Sequence, residues 1–556
     1  MRPELRFVLA IFLMVGVLFG TNVLFPPPPA PEAPVPSAVE GEPEPAEPTE
    51  PAVSPSSGTA TAAPDPPVVP ERRIRVRGPL YEFEFSNYGA QLHSAMLPGF
   101  RSFADDDGPV QLLLRNGPGA LGSRVAVAGD TLDFSVVPFE VSPAEGLALV
   151  EGDDPQELSF TFRSPDGRTG FEIHYRFDPD SYLIDVRGRV LGVDRGLLLT
   201  DLGQGLAFNE ARPADDEQAL AYVVNHTQDG IRQRPLRNFE EDRVEDGPLL
   251  WVALKSKYFL AALLAGEDRE TERFLGGVFA RRPVDLYGGE EPRVSVTAAQ
   301  SLLPDDSFAY RVYLGPQDFT RLRAIGGDLE DVNPVGWRWL RPVIQPFAAI
   351  ITTILIYLHN QLGWGYGWVL ILFGVMMRVV LFPLNQKAMR AQLRNTAVAP
   401  MVKEIQAKYK NDPERQQKEM MKLYREHGFN PLAGCVPMLI PFPVLITLFF
   451  VFQNTIELRG VSFLWLPDLS APDPLYLLPV FLGVSMFLLQ WVSMRTMDQV
   501  NPQMKMMLWF MPIFMVFIFF QLASGLNLYY ATANIATLPQ QYWIARERQK
   551  AKNKAS

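Results

Sequence analysis

The chain has 556 residues, of which 47% are hydrophobic and 20% charged, and its formal net charge is −11. That acidic balance, with a pI near 5.2, argues against specific nucleic-acid binding. A single cysteine, Cys435, excludes an internal disulfide. The five histidines are scattered without ligand spacing, so no metal site and no cofactor is implied.

Arg2 and Arg6 precede an apolar run from Phe7 to Phe25. The run is long for a signal-peptide core, and no small-x-small cleavage site precedes the prolines. Residues 1–25 therefore read as an uncleaved transmembrane anchor with its amino end in the cytoplasm, a cleaved signal being the alternative. Residues 26–70 are rich in Pro, Ala and Glu and hold no Lys or Arg, so they cannot bury a core and read as a disordered spacer.

Residues 71–325 carry a β pattern. Leu80–Phe85 and Leu158–Phe162 alternate with period two; an Asp166-Gly167 turn then leads into Phe171–Phe177. Tyr182–Val190 and Arg293–Val296 are similar, and the set predicts one large antiparallel sandwich or barrel. Within residues 326–361, Trp337–Gln361 is apolar enough to pass for a span. Arg338, Gln345, Thr352 and His359 nevertheless recur every seven residues, a polar stripe that favours a helix lying in the membrane interface.

Residues 362–545 hold the remaining apolar segments. The first, Trp364–Leu384, is long enough to cross a bilayer and carries one charge, Arg378. An arginine at mid-helix costs roughly 2.5–3.5 kcal/mol on insertion scales. Two readings stay open at this point: a snorkelling anchor near the cytoplasmic surface, or a functional group facing a cavity. Four further spans are predicted near Leu432–Phe452, Leu475–Val492, Met506–Ala523 and Leu526–Ile544.

Between the first two of these lies a loop, residues 385–430, that reads as a helical hairpin. Met389, Leu393, Ala397, Met401 and Ile405 recur every four residues, and Asp412-Pro413 starts a second helix as N-cap and first residue. The loop carries ten Lys and Arg against five acids, and residues 546–556 form a basic tail; both should be cytoplasmic. The Asn454–Pro474 loop sets Arg459 against Glu457, Asp468 and Asp473, which suits the outside. Six spans with both termini inside satisfy every placement and put the β domain outside, in a compartment like the bacterial periplasm.

Within the third span Gly434-Cys435-Val436-Pro437, Pro441 and Pro443 shape the helix, and no base stands near Cys435 to make it reactive. The last span is unusually polar: Asn527, Thr532, Asn534, Thr537, Gln540 and Gln541 interrupt it. These groups either bond neighbouring helices or share a wet recess with Arg378. No phosphate-binding loop, nucleophile elbow, His-Glu-x-x-His or membrane carboxylate pair is present, so the chain does not read as an enzyme.

Arg378 with Phe382-Pro383-Leu384, Asn430–Cys435, Leu475–Met486, Pro512, Ser524–Tyr530 and Trp251–Leu264 together resemble the YidC family of bacterial membrane-protein insertases. The resemblance implies a polytopic α-helical membrane protein with six transmembrane helices, a five-helix core and a large periplasmic antiparallel β-sandwich. It implies a groove open to cytoplasm and lipid, with Arg378 as its arginine and Tyr530 near clients. Asn527, Thr532 and Asn534 would line the same groove. Arg390, Arg394, Lys403, Lys408 and Lys410 of the hairpin would receive clients or a ribosome. The implied partners are nascent membrane proteins, the ribosome, the Sec translocon and membrane lipids. Two positions depart from the family pattern: Gly374, where relatives often carry Thr, and Pro441, where some carry Gln. Two rival readings are an assembly role beside a Sec-type translocon, with the β domain as docking module, and an intramembrane enzyme or transporter.

Overall fold

A computed structural model describes residues 69–383, apart from 105–107, 116, 128, 194, 269–270, 273, 284–292 and 335–340. It then describes 386, 401, 404–405, 407–409, 412–426, 442–495 and 502–555. The predicted anchor and most of the spacer lie outside the described residues, as do Arg390, Arg394, Lys403, Lys410, Gly434, Cys435, Pro437 and Pro441. Val69–Met497 and Phe510–Ser556 form one compact unit; of the second unit only Pro502–Trp509 is described.

The β pattern folds as a sandwich. Among the described residues, one face is a five-stranded sheet holding Arg73–Arg77, Glu82–Ser86 and Leu92–Arg101; the other is a fourteen-stranded sheet. Alternation produces this directly. Phe83 and Phe85 are fully buried, while Glu82 and Glu84 point outward to Arg77 and Arg75. Gln156–Arg163 and Gly170–Phe177 pair in register from Arg163 opposite Gly170 to Gln156 opposite Phe177. Gly167 closes their turn at φ +68°, a conformation that costs glycine nothing. The two sheets meet through aromatic rings: Phe85 sits 5.0 Å from Tyr175 and 5.9 Å from Phe160, centroid to centroid.

One hairpin breaks the alternation. In Arg243–Lys255 and Phe259–Ala265, every residue from Trp251 to Lys255 and from Phe259 to Ala265 is buried. Both faces are covered there, so period two disappears. Trp251 donates its indole N–H to the Gly327 carbonyl at 2.7 Å and ties the sheet to the segment leading into the helices.

The first helix is α1, Pro213–Ala219. The next, α2 (Phe319–Ile325), starts at Asp318, whose carboxylate accepts from the Arg321 amide. Helix α3, Arg341–Leu362, is amphipathic, but its polar stripe faces the protein. Thr352 is buried, the Gln345 amide hydrogen-bonds the Asp331 carboxylate, and His359 meets the Trp364 carbonyl at 2.7 Å. Phe347, Ile350 and Tyr357 are exposed instead. Asp331, at the end of the β domain, supplies the partner for Gln345, and the carbonyl of Trp364 supplies that for His359.

Helix α4 spans Tyr366–Val380, α5 Pro413–Glu426, α6 Phe442–Asn454, α7 Leu477–Arg495, α8 Pro502–Phe519 and α9 Ser524–Ala555. Asp412 caps α5 as expected, accepting from the Arg415 amide at 3.1 Å. Helix α9 continues without a break through the basic tail. At 1.5 Å per residue its 32 residues extend about 48 Å. Among the described residues no helix is long and apolar enough to cross a membrane. The described parts of α4 and α6, 15 and 13 residues, reach about 22 and 20 Å against a hydrocarbon core of about 30 Å.

Candidate functional site

Helices α4 and α9 lie close along each other because Gly374 presents no side chain. A Cβ there would stand 3.3 Å from the Thr532 methyl and 3.5 Å from the Tyr529 carbonyl. Gly374 thus makes a close helix contact. One turn further along, the helices diverge around a cavity of about 470 Å³. Val375, Arg378, Val379 and Phe382 line one wall, and Ala536, Pro539, Gln540 and Trp543 the other. Both sets follow the i, i+3, i+4, i+7 rule of one helix face.

Among the described residues Arg378 is the single charged member of that lining. It sits in the last turn of α4, where the helix dipole favours a cation. Its Nε is buried without a hydrogen-bond partner among the described residues, and so is the Gln540 Nε2. Tyr529 and Tyr530 lie within electrostatic reach of the guanidinium. Tyr530 is half-buried and sets its ring edge-on to Phe519 and Tyr529, both at 5.3 Å.

The other polar groups of α9 go elsewhere. Asn527 is fully buried and donates to the Phe519 carbonyl at 3.1 Å. Asn534 donates to the Ser485 hydroxyl of α7 at 3.1 Å. Thr532 packs on Gly374. Among the expected groove residues, then, only Arg378 lines this recess. The polar group opposite it is Gln540, which helical spacing from Ala536 singles out once the facing wall is known. Lys408 of the hairpin is exposed, with its ammonium 5.5 Å from the centroid of the Tyr409 ring.

A second constellation was not singled out by sequence. Between α6 and α7, the outer loop sends Arg459 into the β domain. Its side chain is 3% exposed, and Nε donates to the Glu210 carboxylate at 2.7 Å. A terminal nitrogen donates to the Asn209 carbonyl at 3.1 Å. The guanidinium lies over the rings of Phe103, Phe259 and Tyr258 at 4.3, 5.2 and 5.8 Å. Burial pushes the Glu210 carboxyl up, and Arg459 pulls it back. Beside it, Asp216 accepts from the Asn209 and Glu210 amides at 2.8 and 2.9 Å, and Lys257 pairs with Asp215 at 3.1 Å. Ile456 of the same loop packs into the sandwich core.

A large β-sandwich bonded through a buried ion pair to a group of apolar helices is the architecture of a membrane protein with an extracytoplasmic domain. Residues 357–552 match the family described as 60Kd inner membrane protein, and residues 73–349 match the YidC periplasmic domain. A membrane protein insertase YidC of Chlorobaculum parvum is 32% identical over 499 residues, 85% of this chain and 82% of its own. The one from Geobacter metallireducens is 31% identical over 560 residues, covering 97% and 98%. The chain belongs to the YidC family of membrane protein insertases. A crystal structure of an active YidC insertase with its first transmembrane domain resolved overlaps 86% of this chain and 93% of its own, at 19% identity and a TM-score of 0.34. This is an inner-membrane insertase with a periplasmic β-sandwich, its substrates are membrane proteins, and the family is not known for catalysis.

Proposed function

We propose that the recess between α4 and α9 is the client groove of this insertase, open to cytoplasm and lipid. The chain then crosses the membrane six times with both termini in the cytoplasm. A short polar segment of a nascent membrane protein enters the recess, and Arg378 with bound water lowers the desolvation cost of its acidic groups and backbone. The apolar client helix then leaves sideways into lipid, driven by hydrophobic burial. The observation that carries this reading is the half-buried Arg378, whose Nε is buried and unpartnered among the described residues in an otherwise mostly apolar cavity. A structural cation would be expected to pair with a carboxylate, and among the described residues none lines the cavity. The residue 385–430 hairpin, with Arg390, Arg394, Lys403, Lys408 and Lys410, receives clients or a ribosome in this scheme.

The test is insertion of a small acidic-tailed client into proteoliposomes. Arg378→Ala should abolish most insertion, and Arg378→Lys separates charge from guanidinium geometry. Undiminished insertion by Arg378→Ala would overturn the reading. A second role, assembly beside the Sec translocon, draws support from the Arg459 contact, because a partner docked on the sandwich would be coupled to the helices. Deletion of most of residues 71–325 should then abolish the cellular function while leaving insertion by the core intact.

A further inference from the structure

The chemistry of the α4–α9 recess is lopsided. Arg378 brings only donors, Trp543 brings an indole N–H, and Gln540 holds its amide nitrogen buried without a partner. The other lining side chains are apolar. Pro539 removes the amide that would bond the Ile535 carbonyl, yet Gln540 Nε2 is not spent there. A buried donor left unmade costs about 1–3 kcal/mol, and such groups persist in native proteins where a ligand completes them.

We infer that Gln540 is a specificity-determining residue of the groove, a neutral donor that binds uncharged acceptors of the client while Arg378 binds its carboxylates. The inference rests on the groove reading above and deepens it. The ligand is a polar peptide segment: the side-chain carbonyl of Asn or Gln, or a backbone carbonyl not yet taken up by a helix. A cation alone attracts acids; a cation with a neutral amide beside it also admits clients whose leading segment is polar without charge. The apolar remainder of the wall, Val375, Val379 and Phe382 on one side, suits the flanking hydrophobic residues of such a segment.

The experiment uses the full chain in proteoliposomes and one single-span client carrying an Asp, Asn or Leu tail. Gln540→Leu should lower insertion of the Asn-tailed client roughly five-fold, the scale of one hydrogen bond. It should lower the Asp-tailed client less and leave the Leu-tailed client unchanged. Gln540→Glu places a carboxylate beside Arg378, satisfies it internally, and should lower both polar-tailed clients. Gln540→Met keeps the side-chain length and should behave as Gln540→Leu, so a packing defect in one variant does not decide the matter. Asn-tailed insertion at the wild-type level in both Gln540→Leu and Gln540→Met would overturn the inference. If Arg378→Ala reduces insertion in the same series, that failure is of Gln540 alone; if Arg378→Ala is also silent, the groove reading fails with it.

Discussion

Replacing Arg459 with alanine should detach the outer loop from the β domain. The guanidinium is 3% exposed and the Glu210 side chain 8%, at 2.7 Å from each other. Removing one member of a buried pair leaves the other charge uncompensated, at a cost of roughly 3–5 kcal/mol. The chain is large and two-part, so global unfolding is a poor readout. Local opening is better: the Leu469 amide bonds the Val461 carbonyl at 2.9 Å within the same loop, and its hydrogen exchange reports the docked state. A loss of 3–5 kcal/mol should speed that exchange by roughly two to four orders of magnitude. Glu210 already has a raised pKa from burial, so without Arg459 it should take up a proton more readily. A carboxyl with a raised folded pKa favours the docked state at low pH and loses that benefit as pH rises, so the defect should be milder in acid. The double variant Glu210→Leu, Arg459→Met removes both charges and should recover much of the protection. Exchange at Leu469 unchanged in Arg459→Ala, or single-variant effects that simply add, would refute the clamp.

Glu457 lies at a cavity shared with Glu330, Asp331, Gln345 and Thr352, and burial with the nearby Asp318 pushes its carboxyl up to about 7 from 4.5. Its contribution to stability is therefore complete below about pH 4.5 and lost as pH rises through 7. Glu457→Gln should stabilise the surrounding fold at pH 8 by up to about 3 kcal/mol and change little at pH 4; hydrogen exchange of the amides around Glu457, corrected for intrinsic rate at both pH values, checks this, and a pH-independent difference would contradict it. Gly367 faces Phe463, whose ring would lie 2.1 Å from an added Cβ. Gly367→Ala should therefore displace that ring from Trp368, 5.3 Å away, and cost roughly 1–3 kcal/mol, read as faster amide exchange around Phe463 and altered tryptophan fluorescence; unchanged exchange and fluorescence would count against the packing described.

What the sequence made legible was whatever repeats with a period. Phe83 and Phe85, or Phe171, Ile173 and Tyr175, declare a half-buried strand by alternation alone. The Trp251–Leu264 hairpin does not, because both of its faces are covered and its burial has no period. The seven-residue polar stripe of α3 was visible, but its direction depended on a partner outside the helix, Asp331, which bonds Gln345. Helix α9 continues through Arg546–Lys554 because Ala, Arg, Glu, Gln and Lys are good helix formers, a propensity masked by reading the charges only as a topological signal. For the recess, Arg378 stood out as a lone charge in an apolar run. Its facing residue could not be chosen among six polar groups of α9, since Asn527 and Asn534 find partners on other helices. Arg459 looked like an ordinary loop cation because nothing local marks the Phe103, Tyr258 and Phe259 rings around it.

The clamp also sets a timetable for the protein's own biogenesis. Glu210 and Arg459 are 249 positions apart. At about 5–20 residues per second, roughly 12–50 seconds of synthesis separate them. The acidic half of the lock, with Asp216 and Lys257 beside it, is therefore synthesised long before its arginine. Ile456 of the same loop belongs to the sandwich core, so the sandwich is completed only when that loop docks, a late event in the maturation of the chain.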